Sequence, residues 1–236
     1  MIEIQGFSKS YDGVKFACKD IDLTIEKGDL YGFIGHNGAG KTTLLKAIAG
    51  IHGFNAGTIR VCGHSIQDEP LEAKRQLAYI PDNPDIYESL KGSQYLDFIA
   101  DVFGLSIDER VKRIERFAKM FELEKALAQP ISTYSHGMKQ KLVLISALIH
   151  QPKVMLLDEP FVGLDPKASY LLKEVFQEMR EQGTAIFFST HVLDVAEKIC
   201  NKVAIIKQGR IVASGVTADV VKDQTLESLF LELLEE

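Results

Sequence analysis

Gly35-His36-Asn37-Gly38-Ala39-Gly40-Lys41-Thr42 decides how this chain is read. The octet has the form G-x-x-x-x-G-K-[ST]. It follows an apolar run, Leu30 to Ile34, and leads into a helix-like segment, Thr43 to Ala49. A buried strand, a tight glycine turn and a helix start, in that order, make a cradle for phosphate. Glycine lets successive backbone N–H groups turn inward with no Cβ in the way. The helix dipole adds about half a positive charge at the same point. Lys41 carries a full positive charge toward β- and γ-phosphates, and the Thr42 hydroxyl is placed to ligate Mg²⁺. A chance glycine turn before a lysine would lack the two flanks. The ligand implied is a nucleoside triphosphate.

Composition sets the frame. At 236 residues, one α/β domain with a subdomain is the natural size. The net charge of −6 argues against broad binding to nucleic acid or anionic membrane. Cys18, Cys62 and Cys200 are few, odd in number and far apart, with no C-x-x-C pair. Unpaired core thiols in a reducing compartment are the expectation, without a disulfide framework or zinc site. Met1 to Ser8 lacks the basic and apolar regions of a signal peptide. No apolar run approaches the ~20 residues of a membrane span. The expected location is therefore cytoplasmic.

Along the chain, the first third reads as β-rich: Ile2 to Ile4, Ile21 to Ile25 and Thr58 to Cys62. Alternation over Asp20 to Ile25 suits a half-exposed strand of an antiparallel sheet. From Leu90 to Leu123 the apolar spacing turns helical, and the charged run Asp108 to Lys119 reads as a solvated helix face. Two continuous apolar runs follow, Val154 to Leu157 and Ala185 to Phe188. Both read as buried parallel strands with helical segments around them. A hairpin over Val203 to Ile206 and Arg210 to Ala213 turns at Gln208-Gly209, and Thr225 to Leu234 forms a short amphipathic helix pattern.

The strand Val154 to Leu157 ends in Asp158-Glu159. Ligand sites in α/β sheets lie at the carboxyl ends of strands, which is also where the Gly35 loop begins. Asp158 can help hold Mg²⁺, while Glu159, one residue further, can polarise an attacking water as general base. The plainer alternative is a strand that merely ends in two polar residues.

With these pieces in place the chain resembles the nucleotide-binding subunit of an ATP-binding cassette (ABC) transporter, over nearly its whole length. Tyr134-Ser135-His136-Gly137-Met138-Lys139-Gln140-Lys141 resembles the family signature, usually written L-S-G-G-Q. Gly163-Leu164-Asp165 resembles the D-loop, His191 the switch histidine, and Tyr11 the aromatic that stacks on adenine. Pro81-Asp82 stands where the family has its Q-loop glutamine. The nearest likeness is to bacterial ABC-2-type and Ecs-like exporter ATPases.

The resemblance implies a P-loop NTPase core of RecA-like type, with an N-terminal antiparallel β subdomain and an inserted α-helical subdomain. In these terms residues 1–82 and 152–215 form the core, 83–151 the helical and signature subdomain, and 216–236 a helical tail. ATP is held by Tyr11, by Gly35 through Thr42, and by Thr43. Mg²⁺ falls to Thr42, Asp158 and Asp82. Glu159 and His191 are the catalytic pair, and Asp165 serves the D-loop. Ser135, His136, Gly137 and Met138 meet the nucleotide of a second nucleotide-binding subunit, in a homodimer or a heterodimer. Ser135 and Gly137 are expected at the start of a helix Lys139 to Ile149, where unpaired N–H groups suit an anion. An ordinary N-cap serine is the other reading of Ser135, a turn aspartate that of Asp82, and a surface tyrosine that of Tyr11.

Two departures stand out. Asp82 puts a shorter, charged carboxylate in place of a neutral amide, and His136 puts bulk where the signature has glycine. Both are expected to alter turnover. The function implied is ATP-driven dimer closure that powers an integral-membrane permease, docked near Ile86 and Tyr87, with export favoured over import. The subunit would then sit on the inner face of the cell membrane through that permease. A soluble ABC ATPase serving an assembly or repair complex shares the core motifs. A guanine-specific enzyme does not fit, because Asn201-Lys202-Val203-Ala204 lacks the aspartate of N-K-x-D.

Overall fold

The computed structural model of the chain describes residues 1–83 and 85–235. Pro84, inside the segment expected over 83–151, and Glu236, at the end of the tail expected over 216–236, lie outside the described residues.

The N-terminal third makes an antiparallel sheet from β1 (Ile2–Ser10), β2 (Phe16–Ile25), β4 (Ala56–Val61) and β5 (His64–Ser65), ordered β2-β1-β4-β5. Its register explains its pattern. Ile2 pairs with Ile25 and Val61, and Ile4 with Leu23 and Ile59. All of these side chains are buried, while Asp22 and Thr24 face outward as the alternation requires.

The second sheet has six strands in the order β10-β9-β3-β8-β7-β6. They are β3 (Leu30–Ile34), β6 (Leu77–Ile80), β7 (Val154–Asp158), β8 (Ala185–Thr190), β9 (Lys202–Lys207) and β10 (Arg210–Val216). Every residue of β3, β7 and β8 is buried, which is why these strands read as unbroken apolar runs. They run parallel, with Ile34 opposite Thr190 and Asp158 opposite Ser189. Gly35, Glu159 and His191 therefore emerge at one edge of the sheet. β6 was not anticipated: four residues before a proline carry too short a pattern to read.

The contacts divide the chain into two compact units, one of residues 1–79, 153–160 and 176–236, the other of 80–152 and 161–175. The first holds α1 (Lys41–Ile48), α2 (Pro70–Arg75), α7 (Leu193–Ile199), α8 (Thr217–Val221) and α9 (Leu226–Glu235). The second is helical, with α3 (Gly92–Val102), α4 (Ile107–Met120) and α5 (His136–Ile149). The helix α6 (Pro166–Glu181) begins in the second and ends in the first. Residues 161–175 thus group with the helical unit, although the sequence boundaries put them in the core segment 152–215. The reason is local: Lys141 pairs with Asp165, and Glu122 with Lys167.

Inside the helical unit α3 and α4 pack on α5, whose residues Leu142 to Ile149 are all buried. The charged run in α4 is a solvated face as expected, apart from Arg110 and Arg113, which are half-buried. Arg113 donates to the Ile149 carbonyl (2.8 Å) and Arg110 pairs with Asp97 and Asp101. Two arginines of that run hold the helix in place instead of facing water. Cys18 and Cys200 are buried and Cys62 half-buried, all as free thiols. Burial pushes the Cys18 thiol up to about 12, so it is inert as a nucleophile at neutral pH. Among the described residues no helix is long and apolar enough to cross a membrane.

Candidate active site

The Gly35 loop leaves the buried end of β3 and delivers the chain into α1 two residues earlier than the sequence pattern suggested, at Lys41. Gly40 is its N-cap, at φ 114°. A Cβ there would lie 2.4 Å from the Ala17 carbonyl oxygen and 2.9 Å from Cys18 Sγ. Only glycine can turn the chain so close to β2. Gly38 also has positive φ, but among the described residues nothing lies within 4 Å of where its Cβ would be. His36, Asn37 and Gly38 are exposed, Ala39 and Gly40 are buried. The loop therefore presents backbone outward from a fixed base.

Lys41 is 7% exposed, and its Nζ donates to the carbonyls of Gly35 (2.6 Å) and His36 (3.3 Å). The ammonium folds across the loop that precedes it. No acidic residue occupies the first turn of α1, so its positive end is left for a ligand. Thr42 is exposed and Thr43 half-buried in that turn.

The carboxylates stand at the end of β7. Asp158, 3% exposed, accepts a hydrogen bond from the Ser189 hydroxyl of β8. The Glu159 backbone N–H donates to the same hydroxyl (3.1 Å) and to the Ser189 carbonyl (3.2 Å). Glu159 is in the left-handed region, at φ 50°, which costs an L-residue about 1–2 kcal/mol. The Ser189 contacts hold it there. Its side chain, 12% exposed, reaches two ways: Oε1 lies 3.5 Å from Lys41 Nζ, and Oε2 lies 3.0 Å from His191 Nδ1. The His191 N–H also donates to Oε2 (3.3 Å). Oε1 is buried with no hydrogen-bond partner among the described residues.

Beside the loop opens a groove of about 680 Å³, lined by Tyr11, Asp12, Phe16, Gly38 and Gln208 among others. That volume accepts a small molecule of drug or nucleotide size. Tyr11 is 66% exposed, and Lys9 Nζ lies 5.0 Å from the ring centroid.

The remaining residues singled out from the sequence lie in the helical unit. Ser135 is the N-cap of α5, and its hydroxyl accepts from the Met138 N–H (3.3 Å). The cap starts the helix at His136, so His136, Gly137 and Met138 form its first turn, where the sequence pattern began the helix at Lys139. His136 is exposed, and its Cδ2 lies 3.0 Å from where a Cβ on Gly163 would be. Asp165 accepts from Lys141 Nζ (2.7 Å) and caps α6 through the Ala168 N–H (2.8 Å). Lys141 first, then that N–H, hold its carboxyl below the usual carboxylate range. Asp82 is exposed in the bend after β6.

A family model described as ABC transporter matches residues 18–162. The chain belongs to the ABC transporter family. It is 35% identical over 223 residues to the ABC-type transporter ATP-binding protein EcsA of Bacillus subtilis, covering 92% of this chain and 90% of that protein. It is 32% identical to the ABC transporter ATP-binding protein NatA of the same organism, over 90% and 87%. The linearmycin resistance ATP-binding protein LnrL, also from B. subtilis, is 31% identical over 93% of this chain and 70% of that one. Among solved structures, an ATP-binding subunit of an ABC transporter superposes with a TM-score of 0.95 at 34% identity, covering 99% of both chains. The chain is thus an ABC ATPase with the P-loop NTPase fold.

Its residues suit the family's ATP and Mg²⁺. An ABC ATPase needs a cation at the loop, carboxylates at the neighbouring strand end and an open side for phosphate. Lys41, the pair Asp158 and Glu159, and the clear space at Gly38 supply these. Glu159 Oε1 is buried, pairs with Lys41 only at 3.5 Å and accepts no hydrogen bond among the described residues. That leaves it able to accept one from a bound group. Tyr11, Lys41, Thr42, Asp158, Glu159 and His191 all belong to the first unit, whereas Asp82, Ser135, His136, Gly137, Met138 and Asp165 belong to the helical one. Ser189 escaped the sequence reading. Its only signal was a pair of hydroxyl residues, Ser189 and Thr190, closing an otherwise apolar strand.

Proposed function

We propose that this chain is the ATP-hydrolysing subunit of a membrane ABC exporter, in which ATP-driven closure of two such subunits moves a separate permease. The observation that carries the reading is Glu159, held between Lys41 and His191 at the edge where the Gly35 loop opens. Gly35 through Thr43 would cradle the triphosphate and Tyr11 the base. Thr42 and Asp158 would hold Mg²⁺, which when bound neutralises charge on the β- and γ-phosphates. Glu159 then takes the proton of the attacking water, with His191 fixing its carboxylate through Oε2. The sequence likeness gives Asp82, in the helical unit, the place of the family's Q-loop glutamine.

Ser135, His136, Gly137 and Met138 would serve the nucleotide of the second subunit, since the N-terminal turn of α5 suits an anion. Asp165 belongs to the same composite site by its likeness to the D-loop. ATP can drive closure only through its higher affinity for the closed pair than for the open one. Ile86 and Tyr87, with the exposed Phe98 and Val102 of α3, would receive the permease on the inner face of the cell membrane. Likeness to a linearmycin resistance protein suits outward transport.

The test is a tagged pull-down from detergent-solubilised membranes of the native host, with partners identified by mass spectrometry. A multi-span hydrophobic protein at stoichiometric yield is the expected result. Soluble partners alone, with the chain absent from membranes, would replace the transporter reading with that of a soluble assembly ATPase.

A further inference from the structure

The Tyr11 ring is not free to swing. Its phenol oxygen lies 3.2 Å from His52 Nε2 and 3.3 Å from Thr43 Oγ1. The Tyr11 and His52 rings meet edge to face, with centroids 5.8 Å apart and planes at 82°. His52 is half-buried in the turn that follows α1, and Thr43 lies in the first turn of that helix. A phenol can donate to one of these partners while it accepts from the other. Burial first, then the nearby cations Lys9 and Lys46, push His52 below its usual value, which favours a neutral imidazole against the phenol. The first turn of α1 and the segment that follows the helix therefore grip one exposed aromatic ring at the mouth of the groove.

We propose that His52 is a positioning residue for nucleotide binding: it hydrogen-bonds the Tyr11 phenol and fixes the ring in the plane from which it stacks on the base of ATP. The inference rests on Tyr11 being the base-stacking residue. A ring held in advance loses less freedom on binding than a mobile one, and stacking of a base on an aromatic depends on that plane. His52 acts on the base alone and leaves the phosphate cradle as it is.

The test is equilibrium competition against a ribose-labelled fluorescent ATP, using the full chain and either unlabelled ATP or inorganic triphosphate as competitor. His52→Leu is expected to weaken ATP about fivefold, the worth of one neutral hydrogen bond, and to leave inorganic triphosphate unchanged. His52→Gln, which can still bond the phenol, restores most of the loss. Tyr11→Phe reproduces it, and adding His52→Leu to Tyr11→Phe weakens ATP no further. Should His52→Leu fail to fold, Tyr11→Phe decides: affinity equal to that of the parent chain overturns the inference. Equal loss of ATP and triphosphate in His52→Leu also overturns it, because His52 would then support the loop generally. Tyr11→Ala separates the two readings. If Tyr11→Ala weakens ATP while His52→Leu does not, the inference alone fails. If Tyr11→Ala binds ATP as the parent does, base stacking by Tyr11 fails and takes the inference with it.

Discussion

His191 Nδ1 lies 3.0 Å from Glu159 Oε2, while the other oxygen of that carboxylate lies 3.5 Å from Lys41 Nζ. One carboxylate thus touches both the cation of the phosphate loop and a histidine that is 53% exposed. Lys41 is also held by two carbonyls of its own loop, so its position does not depend on Glu159 alone.

Glu159→Gln follows directly. The amide keeps the shape and can still hydrogen-bond His191, but it cannot take a proton from water. Hydrolysis is expected to fall by about 10²- to 10⁴-fold while ATP binding persists, so that ATP-bound dimers accumulate. Phosphate release and size-exclusion chromatography with and without ATP check both halves. A variant that binds ATP yet stays monomeric, with and without its membrane partner, would count against ATP-driven closure.

Ser189→Ala tests the link between the two carboxylates. Ser189 is wholly buried, and its hydroxyl serves Asp158 on one side and the Glu159 N–H on the other. Removal leaves a buried carboxylate short of a donor, at a cost of about 1–3 kcal/mol. It also loosens both acidic side chains, so activity should fall by about 10- to 100-fold if Asp158 holds the metal as proposed, the usual loss when a supporting contact to a metal ligand is cut. Denaturant titration and a steady-state hydrolysis assay report the two effects separately. The expected loss of stability with normal turnover would show that Ser189 supports the fold and not the reaction.

The contrast between Glu159 and Ser189 shows what sequence can carry. The Gly35 octet and the acidic pair were legible because each stands at the end of an unbroken apolar run, and such runs become adjacent parallel strands in an α/β sheet. His191 was singled out only through the family resemblance. Ser189 lies 30 residues from Glu159, and only the register that sets Asp158 opposite Ser189 reveals the contact. His52 was hidden for the same reason, 41 residues from Tyr11. Helix starts at Lys41 and His136 were misplaced because the caps, Gly40 and Ser135, fix them, whereas the apolar stripe begins later. In α4 a charged composition concealed the inward arginines, since a guanidinium can bury its stem and still find a carbonyl.

His136 stands where the proposed signature segment has glycine in the family it resembles, and its contacts are visible. Its ring stands against Gly163, which has φ +79° and space for no Cβ. His136→Gly removes that ring from the helical unit and reopens the close backbone approach that the signature normally offers. Hydrolysis is expected to rise a few-fold, with a stability loss within about 1 kcal/mol, the cost of glycine in a helix. Phosphate release from the assembled transporter is the measurement. Unchanged turnover would mean that bulk at this position does not limit the reaction.

The helical unit also carries an acid-sensitive element. His150, the residue that ends α5, stacks flat on Phe103, with centroids 3.7 Å apart and planes at 3°. Burial first, then the Arg113 charge, lower its pKa from 6.5 to about 4. The unfolded chain therefore binds this proton at a higher pH than the folded one does, and stability rises with pH between those two values. The contribution is complete above about pH 6.5 and is lost as pH falls toward 4, amounting to about 3 kcal/mol over that window. His150→Gln removes the titrating group. The variant should be less stable at pH 8, where the flat stacking on Phe103 is lost, but its stability should decline less steeply between pH 6.5 and 4, by one proton's worth of slope. Urea titrations at half-unit intervals across that range compare the slopes. Parallel curves for parent and variant would show that His150 is not what makes the unit sensitive to acid.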